Sequence, residues 1–269
     1  MEFVNLAQKF DAEGVNALVL MGSHARGDAG PYSDVDLVRF VTEENADLAG
    51  AGSHLIDGVL VVVSNVTPSQ VEQWFTQPQQ ATDTMAGLRT GRALLDRQAT
   101  FATLQARAHA FVWTEEMQIK ADLWASEQMV GWIEEVHKGL EGLRRHDAGR
   151  LLNAGFGLSW GLSTVVKVQR GILLSGDNGF FVEVATTVGQ ESLWSQLRAV
   201  AFGVAEVHGR PPSLRERVVA GLHLYGLTVE LIATAIQPEH APFIAQTIQL
   251  INEQLETAYH GETESSEGE

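Results

Sequence analysis

The stretch that decides how this chain folds runs from Val19 to Phe40 and reads Val-Leu-Met-Gly-Ser-His-Ala-Arg-Gly-Asp-Ala-Gly-Pro-Tyr-Ser-Asp-Val-Asp-Leu-Val-Arg-Phe. Apolar residues at both ends predict two strands, and the Gly- and Asp-rich part between them predicts a loop. Residues two apart in a strand point to the same side, so we expect Asp34 and Asp36 to lie side by side. Two adjacent carboxylates repel each other, and a hard cation such as Mg²⁺ between them removes that repulsion.

Gly22 and Ser23 come at the end of the first predicted strand. We predict that they open a short helix near residues 23–27, whose free backbone N–H groups can bind a phosphate. A phosphate site facing a metal-binding pair of carboxylates is the arrangement that phosphoryl or nucleotidyl transfer needs. The alternative is a Gly- and Asp-rich turn between two ordinary strands. His24 has no evident role and is interpreted as a surface residue.

These residues resemble the signature of the DNA polymerase beta-like nucleotidyltransferase superfamily, which is Gly-Ser, ten residues, then Asp-x-Asp. The fuller form, Gly-Ser-x-Ala-Arg-Gly followed by Ser-Asp-x-Asp-Leu, looks like the antibiotic and the minimal nucleotidyltransferases. The resemblance implies that Asp34 and Asp36 bind Mg²⁺ and that a nucleotide such as ATP binds beside them. The candidate nucleotide-binding residues in this stretch are Gly22, Ser23, Arg26 and Ser33. A solvated loop arginine and a turn serine are the alternative interpretations of the last two.

The superfamily also supplies a third carboxylate from the next strand, and this chain departs from that pattern. Its next strand reads Val59-Leu60-Val61-Val62-Val63, and we expect the position near Val61 or Val63, which are both apolar. Asp57 and Asp96 are the substitutes, although a hairpin turn and a strand end explain them equally well. The departure leaves Mg-nucleotide binding as the expectation and puts full catalytic competence in question.

A general base is expected from the second half of the chain. In the kanamycin-type enzymes a Glu takes the proton from the acceptor hydroxyl, and a Lys four residues later meets the nucleotide phosphates. Glu134 and Lys138 reproduce that spacing and are the candidates, with the neighbouring Glu135 as the next one. A Glu–Lys pair four residues apart is also the commonest solvated pair on a helix.

The net charge is -16, from 34 acidic and 18 basic residues. Polynucleotides are therefore disfavoured as partners, because they need a basic surface, whereas a small cationic acceptor fits. The chain has no cysteine and hence no disulfide or thiolate zinc site. It has no membrane-length apolar run and no signal-peptide pattern at its start, so a soluble cytoplasmic protein is expected. A homodimer is compatible with these features.

The order of predicted elements indicates an α+β fold, with a nucleotidyltransferase-type mixed sheet and helices followed by a helical bundle. The predicted domains are 1–100 and 101–260, with a disordered acidic tail at 261–269. Strands are predicted at 15–21, 34–41 and 92–96 and within 54–66, where Asp57-Gly58 is a hairpin signal. Helices are predicted at 2–10 and from Thr67, and then near 100–112, 114–145, 147–174, 190–207, 213–236 and 239–258.

The leading hypothesis is Mg²⁺-dependent transfer of a nucleoside monophosphate, most simply AMP from ATP, to a hydroxyl of a small antibiotic-like acceptor. One alternative is a regulator of the minimal nucleotidyltransferase kind, acting as an antitoxin or modifying a protein partner. Another is a nucleotide-binding protein without catalysis. A strand that faces the Asp pair and carries no acid would favour the last of these.

Overall fold

The computed structural model describes residues 2–264, and in these residues the fold is α+β, as predicted. The strands are β1 (Val15–Leu20), β2 (Val35–Val41), β3 (Gly52–Ile56), β4 (Val59–Val66) and β5 (Arg92–Asp96). The earlier helices are α1 (Phe3–Phe10), α2 (Gly22–Arg26), α3 (Pro68–Thr76), α4 (Pro78–Thr90) and α5 (Thr100–His109). The later helices are α6 (Glu115–Gly131), α7 (Ile133–Arg145), α8 (Ala148–Phe156), α9 (Leu162–Gln169), α10 (Phe180–Val188), α11 (Leu193–Phe202), α12 (Leu214–Leu231) and α13 (Ala241–Glu264).

The chain divides into two compact units, each described here by itself. Unit 1 holds the residues up to 117 together with 173–180, and unit 2 holds 118–172 and the residues from 181 onward. The division therefore falls near residue 117 and not at the predicted residue 100. The physical reason is that Phe101 and Ala108 of α5, and then Met117, are buried in the core of unit 1. Of the predicted tail 261–269, the first four residues lie in α13, and 265–269 fall outside the described residues.

The sheet of unit 1 has the strand order β3-β4-β2-β1-β5. Its neighbours pair antiparallel, except that β2 and β4 run parallel. One face carries Val38 and Phe40 of β2 and packs against α3, α4 and α5. The opposite face carries Val35 and Leu37 and packs against α1. Asp36 alternates with Val35 and Leu37, so it lies on the same face as Val38.

The local signals in unit 1 are confirmed. Asp57 and Gly58 have positive φ values of 51° and 78° and form the turn between β3 and β4. Thr67 and Gln70 form the predicted capping box at the start of α3. The apolar strand β4 is not an edge strand, because it pairs with β3 along one edge and with β2 along the other.

Unit 2 is a set of helices, and several predicted bounds differ. The predicted helix 114–145 is two helices, because the chain breaks at Trp132 between α6 and α7. The predicted helix 147–174 is α8 and α9 joined by a π-helical turn at Gly157–Gly161, and it ends at Gln169. Helices α4 and α10 were not predicted. No helix in the described part of the chain has the length and apolar character needed to cross a membrane.

Candidate functional site

Gly22 at the end of β1 lies directly against the carboxylate of Asp36. The Met21 backbone N–H donates a 2.9 Å hydrogen bond to the Asp36 carbonyl, which draws the two segments together. Gly22 has φ +63°, and a Cβ atom there would overlap Asp36 Oδ2. Both the backbone conformation and the close approach therefore require glycine at this position.

Asp34 and Asp36 lie at the start of β2. Burial raises the pKa of the Asp36 carboxyl, and the charges of Asp34 and Asp177 raise it further, while Arg26 and His24 act in the opposite direction. Among the described residues, no ion pair or hydrogen bond reaches the half-buried Asp36 carboxylate. A carboxylate in these surroundings favours a bound cation, because a cation stabilises its charged form.

The neighbouring strand β4 has no acid beside Asp36. The parallel register pairs Asp36 with Val62, and Leu37 with Val63. Val62 therefore shares the face of Asp36, whereas Val61 and Val63 are buried on the opposite face. The missing carboxylate was expected near Val61 or Val63, and the residue between them, Val62, is the one that pairs with Asp36 and shares its face.

The two proposed substitutes have structural roles. Asp57 occupies the hairpin turn. Asp96 accepts hydrogen bonds from the backbone N–H groups of Phe101 at 2.8 Å and Ala102 at 3.0 Å, so it caps the start of α5. In the described part of the chain, no group of three His, Cys, Asp or Glu side chains is arranged to hold a metal ion.

A cavity of about 490 Å³ within unit 1 is lined by Asp34, whereas Gly22 and Asp36 are not among its lining residues. Four of the predicted site residues line it, namely Ser23, Arg26, Ser33 and Asp34. The Ser33 hydroxyl accepts a 2.9 Å hydrogen bond from the Gly30 N–H, which agrees with its interpretation as a turn residue. Arg26 Nε lies 3.3 Å from Asp28 Oδ2. The cavity volume is in the range of small-molecule sites.

Two features of this site were missed by the sequence analysis. The ring of His24 is only partly exposed and packs edge-on against Phe3 at 5.9 Å, and its Nε2 is buried without a hydrogen-bond partner among the described residues. The second feature is Leu173–Phe180, which belongs to unit 1 and of which Ser175, Gly176, Asn178 and Gly179 line the same cavity. No local pattern in either place indicates these contacts.

The remaining predicted residues lie in α7 of unit 2. Lys138 Nζ lies 2.8 Å from Glu134 Oε1 and 2.7 Å from Glu135 Oε1. The hydrogen bond from Lys138 lowers the pKa of Glu134, and the hydrogen bonds to Glu134 and then Glu135 raise the pKa of Lys138. The Glu134 side chain is 75% exposed, whereas that of Glu135 is 16% exposed.

Glu135 differs from Glu134 in its surroundings as well. Its Oε2 atom is buried and has no hydrogen-bond partner among the described residues. Its Cγ lies 2.6 Å from where a Cβ at Gly157 would be, so the glycine of the π-helical turn leaves room for this side chain. Turns of this kind inside α-helices are frequent at functional sites.

Comparisons with known proteins agree on the kind of domain. Residues 4–128 match the family model described as "Nucleotidyltransferase domain". A search of curated proteins found no match. Among solved structures, the chain is similar to a nucleotidyltransferase-like protein from Exiguobacterium sibiricum 255-15, with a TM-score of 0.50 and 10% sequence identity. That alignment covers 87% of this chain and 77% of the other, and at this identity it shows the fold alone. The part of the chain that matches the nucleotidyltransferase domain model includes Gly22, Asp34 and Asp36.

Proposed function

We propose that this protein binds a metal–nucleoside triphosphate in unit 1 and transfers the nucleoside monophosphate, most simply AMP from ATP, to a hydroxyl of a small acceptor. The observation that carries the proposal is the Asp36 carboxylate. It is half-buried, it has no ion pair or hydrogen bond among the described residues, and Gly22 is pressed against it. Gly22 therefore packs closely against an acid whose negative charge a bound cation would stabilise.

Mg²⁺ fits the side chains present. It takes one or two carboxylates together with phosphate oxygens and water, and Asp34 and Asp36 supply two carboxylates. When bound, the ion would neutralise phosphate charge and orient the triphosphate. Asp34 and Asp36 are the residues that would hold it.

The remaining residues of the cavity would bind and orient the nucleotide. The Ser23 hydroxyl can donate to a phosphate oxygen, and the Arg26 guanidinium offers several N–H donors. Ser33 keeps the loop before β2 in its turn through its bond with Gly30. Holding the α-phosphate in line with the acceptor hydroxyl is the main requirement of such a transfer.

Burial supports Glu135 over Glu134 as the general base. Glu134 is exposed and paired with Lys138, which is the ordinary arrangement of a solvated helix pair. Glu135 keeps one oxygen without a partner, and an oxygen of that kind can accept a proton from a substrate hydroxyl. Lys138 Nζ donates a 2.7 Å hydrogen bond to the other oxygen of Glu135. We propose that Lys138 also contacts a phosphate of the nucleotide.

The proposed acceptor is a small cationic molecule of the antibiotic kind. The chain carries a net charge of -16, and a strongly negative protein concentrates cations near its surface. The same charge disfavours a polynucleotide acceptor.

The test has two parts. Mg²⁺ with ATP should raise the melting temperature of the wild type, and a panel of hydroxyl acceptors should release pyrophosphate with at least one member. Asp36→Asn should abolish both responses and leave the fold intact. Asp57→Asn is the matched control, because it makes the same chemical change at the β3–β4 turn, where Asn tolerates the positive φ. An Asp36→Asn protein that still responds to Mg-ATP would contradict the proposal.

A second candidate function is nucleotide binding without transfer. It is favoured by Val62, the apolar residue of β4 that pairs with Asp36, because the superfamily supplies a third carboxylate from this strand. Melting-temperature shifts with Mg-ATP but no pyrophosphate release with any acceptor would support this candidate.

A further inference from the structure

The segment Leu173–Phe180 belongs to unit 1 and is attached to it through Leu173 and Leu174. Leu174 is buried, and its backbone N–H donates a 3.0 Å hydrogen bond to the Thr82 carbonyl of α4. Phe180 is also buried, with 6% of its surface exposed. The chain before and after this segment belongs to unit 2. The fold thus brings these eight residues back to unit 1.

Within this segment the chain makes a short turn beside the cavity that Asp34 lines. The Gly179 N–H donates to the Gly176 carbonyl at 2.9 Å. Ser175, Gly176, Asn178 and Gly179 all line the cavity that Ser23, Arg26 and Asp34 also line. The side chain of Asn178 is exposed, and its amide can donate two hydrogen bonds.

Gly176 is in close contact with Arg26. A Cβ atom at Gly176 would lie 3.2 Å from Arg26 Nη1 and 3.4 Å from its Cζ. The backbone of Gly176 has φ 167°, an extended conformation open to any residue, so backbone strain does not require glycine here. The glycine instead leaves the space that the Arg26 guanidinium occupies.

We propose that the turn Ser175–Gly179 is the second wall of the polyphosphate site. This inference rests on the proposed function. Asn178 donates a hydrogen bond to a phosphate oxygen, and Gly176 keeps Arg26 in position to do the same. Phosphate is the ligand chemistry that fits, because the cavity combines the Arg26 cation and the Ser23 hydroxyl with Asp34, where a phosphate-bridging metal would lie.

The test measures the affinity of the full chain for two probes, Mg-ATP and magnesium tripolyphosphate, by calorimetry. Asn178→Ala should weaken the binding of both probes by a similar factor of about tenfold or more, since both carry the phosphate chain. Gly176→Ala should do the same by displacing Arg26. Asn5→Ala is the matched control, because Asn5 is an exposed residue of α1 and takes no part in lining the cavity. It should leave both affinities unchanged.

Three outcomes would overturn the inference. Unchanged affinities in Asn178→Ala and Gly176→Ala would remove the turn from the site. A loss for Mg-ATP alone would assign the turn to the nucleoside. Wild-type protein that binds neither probe would overturn this inference together with the proposed function. If the wild type, Asn178→Ala and Gly176→Ala all bind both probes equally well while Asp36→Asn binds neither, the turn Ser175–Gly179 is not part of the polyphosphate site, and the proposed function still stands.

Discussion

Two pairs of neighbouring acids, Glu134 and Glu135 in unit 2 and Asp34 and Asp36 in unit 1, have different surroundings. In unit 2, Glu134 and Glu135 both contact Lys138, which lies on the same helix. In unit 1, no described residue forms an ion pair with Asp36, and Arg26 pairs with Asp28 instead. The Glu pair shares a lysine of its own helix, whereas burial and the charge of Asp34 raise the pKa of Asp36.

This difference separates two kinds of acidic side chain that look alike in sequence. A Glu–Lys pair on a helix surface contributes little to the free energy of folding, and its carboxylate needs no added cation. An unpaired, half-buried Asp is unfavourable by itself and becomes favourable when a divalent cation binds. The predictions below alter one side of the comparison at a time.

The largest effect is expected in α7. Glu135→Gln should lower turnover by roughly 100- to 10,000-fold, the usual contribution of a general base, with Mg-ATP affinity nearly unchanged. Glu134→Gln is the matched variant, and it should cost far less because that side chain is 75% exposed. Steady-state kinetics on an accepted substrate measure both. A loss confined to Glu134→Gln would return the base to the residue with the Glu–Lys spacing of the kanamycin-type enzymes.

The next effect tests the contact that holds Asp36. Gly22→Ala introduces a methyl group that overlaps Asp36 Oδ2, and a displacement of this size should weaken Mg-ATP binding by about a hundredfold. Gly27→Ala is the control, because Gly27 also has a positive φ, +85°, but has no atom within 4 Å of its added Cβ. It should cost only the backbone strain, about 1–2 kcal/mol of unfolding free energy, and leave the affinity unchanged. Calorimetry and thermal melts on both variants distinguish the two costs.

A smaller effect is expected at Ser23. Removing its hydroxyl takes away one charge-assisted hydrogen bond to phosphate, so Ser23→Ala should weaken Mg-ATP binding by about one to two orders of magnitude. Binding titrations check this, with Ser33→Ala as the comparison because the Ser33 hydroxyl already accepts from Gly30. Equal affinity in Ser23→Ala and wild type would remove Ser23 from the site.

The smallest effect comes from adding an acid to β4. Val62→Glu should lower the melting temperature without metal, because it adds a like charge facing Asp36. It should then tighten Mn²⁺ binding by roughly tenfold, or about 1.4 kcal/mol. Leu55→Glu on the exposed part of β3 is the control and should change neither quantity. If the wild type transfers no nucleotide and Val62→Glu does, the absence of an acid at position 62 is the reason for the inactivity of the wild type.

Much of unit 1 was predictable because its signals are local. Alternation along β2, the Asp57-Gly58 turn and the Thr67 cap each depend on residues within a few positions of one another. Unit 2 was harder, since helical periodicity continues across the break at Trp132 and across the π-helical turn. Neither interruption contains a proline, and the glycines at them, Gly131, Gly157 and Gly161, are also tolerated inside a continuous helix.

The sequence by itself determined the α+β class, the loop that begins at Gly22, and the pair Asp34 and Asp36 at the start of a strand. Only the tertiary structure decided that Val62 faces Asp36, that 173–180 returns to unit 1, and that Glu135 is far less exposed than Glu134. The reason is the range of the interactions. Strand alternation and turn chemistry act within a few residues, whereas register between strands and burial of a side chain depend on segments far apart in the chain.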